Sequence, residues 1–339
     1  MVEIATVEGP LEPARMGWVA DLYGRADPKY RRREILEHLF TRSPAGPGLH
    51  AFAIDDGRAV GHCAVIPMRA RRGTEEIGCG KLEALLLDEP YRGLRVEGRT
   101  VARRLLDDLY AFAEERGIGL LHAYATPRIG RVIAFEPLVG VGERSLVAVL
   151  RADRLSSLRA RAAATALTRA QALARAPLRL ASGRAALRPP AAADVDLVQG
   201  RPIPDGRWSI AADDAWDWYR ASPLVQVLEL AGSCRALVQL GGSPGDPVRL
   251  IGWRPFSGGL RPALLLLGAL SRVARDEGAA TLRFQPWESP AADGTLRRAC
   301  RLLGFVRRDD FTTLWVRTSI PELARADAVV QTPLLYLGL

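Results

Sequence analysis

"DEPYRGLRVEGRTVARRLL", residues 88–106, decides the fold. It follows an apolar run, "LEALLL" at 82–87, and leads into Val101, Leu105, Leu109 and Phe112, which recur at helical spacing. A strand, a glycine-bearing turn and a helix therefore follow one another, and Gly117 stops the helix. Free N–H groups at a helix N-terminus and the helix dipole favour an anion, and glycine lets the backbone approach it closely. The turn is either a phosphate cradle or the remnant of one. Alone it is a weak signal; its place after a strand strengthens it.

The elements on either side extend the pattern. A strand is expected at Val2 to Val7, helices around Pro13 to Tyr23 and Tyr30 to Leu39, and a hairpin about Asp56-Gly57 in "HAFAIDDGRAVGHCAVIPMRAR". "IGCGKLEALLLD" is the next strand. After the long helix, "GIGLLHAYATP" reads as a buried strand, "RIGRVIAFEPLVG" as a short helix and turn, and "GERSLVAVLRA" as a closing strand. From about 195 to 320 the order partly recurs. "SCRALVQLGG" and "DPVRLIGWRPF" form a strand pair, "LRPALLLLGALSRVARDEG" a helix ended by Gly278, and "AATLRFQPW" a strand; "GTLRRACRLLGF" is a second helix and "VRRDDFTTLWVR" a final strand. Each half presents strand pair, long helix, strand, shorter helix, strand, which points to a duplication of pattern and not of residue identity. The fold class is α/β, in the α+β mixed-sheet sense, with four segments: a first domain at 1–150, an Ala/Arg-rich segment at 151–192, a second domain at 193–320 and a tail at 321–339.

A chain of 339 residues is long for one core, and its 48% hydrophobic and 25% charged residues are those of a globular protein. No apolar run approaches a membrane span, and the start has neither a basic nor an apolar signal region, so the cytoplasm is the expected compartment. Cys63, Cys79, Cys234 and Cys300 are widely spaced with no CxxC pair, which argues against a zinc site or disulfide framework; reduced thiols and no metal are expected. The net charge of +9 suggests an anionic partner, but only Lys29 and Lys81 are lysines. Arginine spread over every element, with abundant Ala, Gly and Pro, looks like the coding bias of a GC-rich bacterial genome. A solvated surface is preferred to a nucleic-acid patch. At 151–190 the choice lies between a basic helix on an anionic membrane and an interdomain helix with a wet arginine face; the thin stripe of Leu155, Leu158, Leu167 and Leu173 favours the second.

"LEALLLDEPYRG" at 82–93, "ERGIGLLHAYATP" at 115–127 and "RRACRLLGFVRRDDFTTLWVR" at 297–317 resemble the GNAT superfamily of acyl-CoA N-acyltransferases. The similarity covers most of the chain as architecture. It is nearest to tandem GNAT proteins, in which two such folds share one polypeptide, and "WDWYRASP" at 216–223 resembles the aromatic-rich start of a second repeat. The resemblance implies that acetyl-CoA or another acyl-CoA is held through its pyrophosphate by the loop. The cofactor-binding residues so implied are Leu86, Leu87, Arg92, Gly93, Arg95, Val96, Gly98, Arg99 and Thr100. The family's pattern is arginine or glutamine, two residues, glycine, one residue, then glycine or alanine. Starting at Arg92 it puts Arg95 and Glu97 on the two glycine positions, with a carboxylate where pyrophosphate belongs; starting at Arg95 it places Gly98 and Thr100 correctly in a loop three residues longer. "RPFSGGLRPALLLL" in the second half offers Gly258-Gly259 and Arg261 without that spacing, so a structural or substrate-wall role is expected there.

Transfer to an amine needs a base and a proton donor for the departing thiolate. Glu83 stands where several members of the family carry a base, and burial in its apolar run would raise its pKa; the alternative is a same-face pair with Lys81. The family's tyrosine four residues before the glycine of the closing helix is Glu136 in the first half and Cys300 in the second, so Tyr124 is the nearest substitute acid. His62 and His122 could face one cleft. Cys79 and Cys300 have no base at a recognisable spacing. The resemblance thus implies an N-acyltransferase acting on a small amine, amino sugar or amino acid, as monomer or homodimer. The alternative is a GNAT-like binding protein that has lost the cofactor.

Overall fold

The computed structural model describes residues 2–41, 43–125, 127–150, 176–178, 185–198, 206–210, 214–284, 291–324 and 329–330. In chain order the elements are β1 (Glu3–Glu8), α1 (Pro13–Ala26), α2 (Arg33–Thr41), β2 (Leu49–Asp55), β3 (Arg58–Arg72), β4 (Glu75–Leu87), the short pair β5 (Arg95–Val96) and β6 (Arg99–Thr100), α3 (Val101–Glu115), β7 (Ile118–Ala125), α4 (Pro127–Ile133) and β8 (Glu136–Val149). There follow β9 (Ala186–Arg188), β10 (Trp208–Ile210), α5 (Asp214–Arg220), β11 (Val225–Leu230), β12 (Cys234–Gln239), β13 (Val248–Pro255), α6 (Leu260–Asp276), β14 (Thr281–Phe284), α7 (Ala291–Leu302), β15 (Val306–Thr318) and β16 (Val329–Val330). Residues 151–175 and 179–184 of the basic segment lie outside the described residues.

Two compact units are present, and neither is a continuous stretch. Unit 1 comprises Met1–Gly142, Ile203–Pro223 and Phe311–Leu339; unit 2 comprises Glu143–Pro202 and Leu224–Asp310. These differ from consecutive domains at 1–150 and 193–320. In unit 1 the sheet runs β1, β2, β3, β4, β7 and then residues 313–318 of β15, with Thr313 opposite Ala125 and Thr318 opposite Leu120. In unit 2 residues 146–149 of β8 pair with β14, followed by β13, β12, β11 and β9. The strand that closes each sheet therefore comes from the other half of the sequence. Both closing strands are long, at 14 and 13 residues, and strand pairing depends on an open edge and a matching face, not on nearness in sequence. Likewise α5, expected to open the second repeat, belongs to unit 1: the Trp218 indole stacks on His38 at 4.9 Å and donates to its carbonyl at 3.2 Å.

In unit 1 the β2–β3 turn is the Asp56-Gly57 pair at φ 50° and 69°, the two positive values that a tight hairpin with right-handed strand twist requires. One face of the sheet carries Ala51, Cys63, Val65, Leu82, Leu121 and Ala123, which pack with Val101, Leu105, Leu106 and Leu109 of α3. Unit 2 has its own core, in which Leu266, Leu267 and Leu270 of α6 meet Leu250, Leu282, Leu296 and Cys300. Three of its arginines are paired with carboxylates: Arg188 grips the buried Asp194 at 2.6 and 2.9 Å, and Arg235 and Arg254 hold Asp196 at 2.9 and 2.5 Å.

The exchanged strand of unit 1 is keyed by one glycine. Trp315 of β15 donates to the Ala125 carbonyl at 3.0 Å, and its indole lies 2.2 Å from where a Cβ on Gly130 of α4 would stand. Gly130→Ala must displace that ring, and overpacking of this kind costs about 1–3 kcal/mol. A fall in the melting temperature with a red-shifted tryptophan emission is the expected result.

Candidate active site

The site begins where two parallel strands part. β4 and β7 are paired from Gly78 opposite Ile118 to Lys81 opposite His122, and no pairing is found beyond that point. From there β4 continues to Leu87 and, among the described residues, is bonded only to β3, while β7 continues to Ala125 bonded only to β15. A bulge lies at Ala84, since Ala64 opposes Glu83 while Cys63 opposes Leu85, and a bulge bends a strand. The result is a wedge whose facing edges lack strand partners among the described residues. Its closed end is the Lys81–His122 pair.

Both walls continue beyond the sheet. β4 leads through residues 88–100 into α3, and β7 leads into α4. Between these continuations is a groove of about 470 Å³ lined by Arg95, Gly98, Arg99, Thr100, Ala102, Arg103, Arg131 and Val132. Four arginines share it. Asp107 binds Arg99 at 3.1 Å and Arg103 at 2.7 Å, whereas Arg95 and Arg131 contact no carboxylate among the described residues. The groove is accordingly electropositive and suited to a polyanion.

The loop itself is a hairpin, not an open cradle. Arg95 opposes Thr100 and Val96 opposes Arg99, across a Glu97-Gly98 turn with φ of 52° and 79°. The helix start is also partly satisfied: the Thr100 hydroxyl accepts from Arg103 N at 3.2 Å, and Val101 N donates to the Leu94 carbonyl at 3.0 Å. Arginine side chains thus stand where the sequence suggests backbone amides. The Glu97 side chain is 79% exposed, 3.4 Å from Arg104, and does not fill the groove.

On the sheet face covered by α1 and α2 a line of buried polar groups crosses the strands. His50 Nδ1 is 3.1 Å from His62 Nε2, and His62 Nδ1 is 3.1 Å from the Tyr23 hydroxyl. Phe40 meets both imidazoles edge-on. The register puts Glu83, Lys81 and His122 on the same face. Lys81 Nζ is 2.6 Å from Glu83 Oε2, with only 6% and 9% of these side chains exposed. His122 is fully buried and neither ring nitrogen has a hydrogen-bond partner among the described residues. Burial pushes the pKa of His50 down to about 4; burial, with a smaller contribution from Lys81, pushes that of His122 down to about 3. His62 is held well below the ordinary imidazole value by the same burial and by His50.

Of the residues singled out from the sequence, Arg95, Gly98, Arg99 and Thr100 line the groove. Arg92 donates to the Leu87 carbonyl at 3.2 Å, Gly93 faces open space, and Val96 packs against the core. Leu86 and Leu87 lie on the β4 edge of the wedge, opposite His62 and Gly61 of β3. Glu83 forms the same-face pair with Lys81, buried rather than on an open face. Tyr124 is opposite Leu314, and its side chain lies outside the described residues. His62 and His122 share a face, but His62 is committed to His50 and Tyr23. Burial pushes the Cys79 and Cys300 thiols up, away from thiolate. Gly259 starts α6 at φ 96° with no side-chain cap. Arg103 and Arg131 carry no signal in the sequence, because they meet the loop only through folding. No three His, Cys, Asp or Glu side chains converge as a metal ion would need among the described residues, and no described helix is long and apolar enough to cross a membrane.

No protein-family model matches the chain, and no curated protein matches it in sequence. Solved structures do. A tandem GNAT protein from the clavulanic acid biosynthesis pathway is similar with a TM-score of 0.54 and 14% identity, over 94% of this chain and 99% of that one. N-myristoyltransferase of Saccharomyces cerevisiae, solved with bound myristoyl-CoA, is similar with a TM-score of 0.57 and 11% identity, over 93% of this chain and 79% of that one. At such identities the likeness is one of fold: the chain is mixed α/β, and its fold is like that of a tandem GNAT protein.

Proposed function

We propose that this tandem GNAT fold serves as an acyl-CoA-dependent N-acyltransferase, with unit 1 as the acyl-CoA-binding unit and a small amine, amino sugar or amino acid as acceptor. The observation that carries the reading is the wedge between β4 and β7 opening toward the four-arginine groove. An extended chain lying between two separated strands can hydrogen-bond to their free edges, as a peptide does on a sheet edge. The pantetheine arm of acyl-CoA, with its two amides, is such a chain, and its phosphates would lie against Arg95, Arg99, Arg103 and Arg131.

Calorimetric titration with acetyl-CoA and with CoA tests this directly. Micromolar binding, weakening with added salt as screening requires, is the expected result. Arg95→Ala with Arg131→Ala is expected to weaken binding by about 10- to 100-fold, at about 1.4 kcal/mol per decade, without lowering the melting temperature, since neither side chain holds a carboxylate among the described residues. One observation favours a second reading, a binding protein that has lost the cofactor: the hairpin and the Thr100 cap engage donors that a backbone cradle leaves open. Folded protein giving no heat with either ligand would decide for it.

A further inference from the structure

We infer that the imidazole of His122 meets the reacting atoms at the closed end of the wedge and relays the proton released in transfer; the inference rests on the acyl-CoA reading above. A ligand lying between β4 and β7 must stop where those strands bond to each other, and that place is Lys81 opposite His122. Its inner end therefore arrives beside His122. The imidazole is fully buried there with both nitrogens unpartnered among the described residues, and a buried polar group in that state costs about 1–3 kcal/mol unless a ligand or water satisfies it. Glu83 is poorly placed for the task, because its carboxylate is engaged by Lys81 at 2.6 Å.

The chemistry balances on these groups. An uncharged amine attacks the thioester carbonyl carbon, forming the C–N bond. As the C–S bond breaks, the surplus proton on nitrogen passes to the unprotonated ring nitrogen of His122 and from there to sulfur, giving the amide and free CoA thiol. Burial, and to a lesser extent Lys81, keeps the imidazole neutral. One ring nitrogen therefore offers a lone pair, and because the same burial makes a lasting imidazolium costly, the proton passes on to the departing sulfur within the same step.

The test compares wild type with His122→Gln, using calorimetry with acetyl-CoA and thiol release with glycine, glucosamine and spermidine. The expected result is acetyl-CoA affinity within about twofold and thiol release reduced at least about 100-fold, the scale of lost acid–base catalysis. Thiol release at the wild-type rate overturns the role of His122 and leaves the acyltransferase reading standing. A parallel loss of affinity also overturns it, by showing a structural role. Should none of the three amines react, or the variant fail to fold, the ¹⁵N spectrum of the wild-type imidazoles decides, the chain having only four histidines. Acetyl-CoA is expected to shift the His122 nitrogens and leave His50 unmoved; bound acetyl-CoA with unmoved His122 nitrogens overturns the inference. Wild-type protein that binds no acetyl-CoA removes both readings together.

Discussion

Lys81→Met is expected to destabilise unit 1 by about 3–5 kcal/mol, because it leaves the Glu83 carboxylate buried with its partner removed. The two side chains are 6% and 9% exposed, so water cannot replace the lost ammonium, and the contact at 2.6 Å is direct. The reverse single change, Glu83→Leu, strands the ammonium and should cost a similar amount. The double change Lys81→Met with Glu83→Leu removes both charges and fills the space with apolar atoms, and replacing a buried pair in this way is often neutral or stabilising. Urea unfolding followed by tryptophan fluorescence should show two low midpoints for the singles and a midpoint near wild type for the double. Additive losses in the double would mean that the pair is not coupled as the geometry requires. The same cycle separates stability from catalysis: if the double variant is stable and still releases thiol from acetyl-CoA, Glu83 is not the base.

The second large effect is acid lability. His50, His62 and His122 are buried neutral, with His50 at about 4 and His122 at about 3 in the folded protein. In the unfolded chain each titrates near pH 6.5. Between those limits the unfolded state binds more protons, so stability falls as the pH is lowered from about 6.5, by up to about 1.4 kcal/mol per pH unit for each imidazole. His50 and His62 hydrogen-bond each other, so a second proton on that pair is opposed both by burial and by the first. Carboxylates stabilised in the fold, such as Asp194 held by Arg188, lose their contribution only at lower pH. Chemical denaturation at pH 7.5, 6.5, 5.5 and 4.5 should give steadily lower stability, and His50→Phe should flatten the slope. A stability constant from pH 7.5 to 4.5 would contradict the buried neutral assignment.

Most individual elements were legible along the chain, because each depends on neighbours a few residues away. The Asp56-Gly57 turn, the apolar spacing of α3 and the stop at Gly117 are local facts. The site was only half legible. Arg95, Gly98, Arg99 and Thr100 could be named because they sit in one loop, but whether that loop is cradle or hairpin depends on Glu97 and Gly98 both taking positive φ. Arg131 comes from a helix some thirty residues on, and nothing nearby in sequence announces that it faces the same groove.

By itself the sequence determined the order of strands and helices, the duplicated mixed α/β pattern and the strand–turn–helix around residue 92, since hydrophobic period and turn chemistry act over short range. Only the tertiary structure decided that each half completes its sheet with the other half's last strand, that Glu83 is held by Lys81, and that His122, where β4 and β7 part, has no hydrogen-bond partner among the described residues. Those outcomes depend on which edges and charged groups meet in space, and chain order does not carry that information.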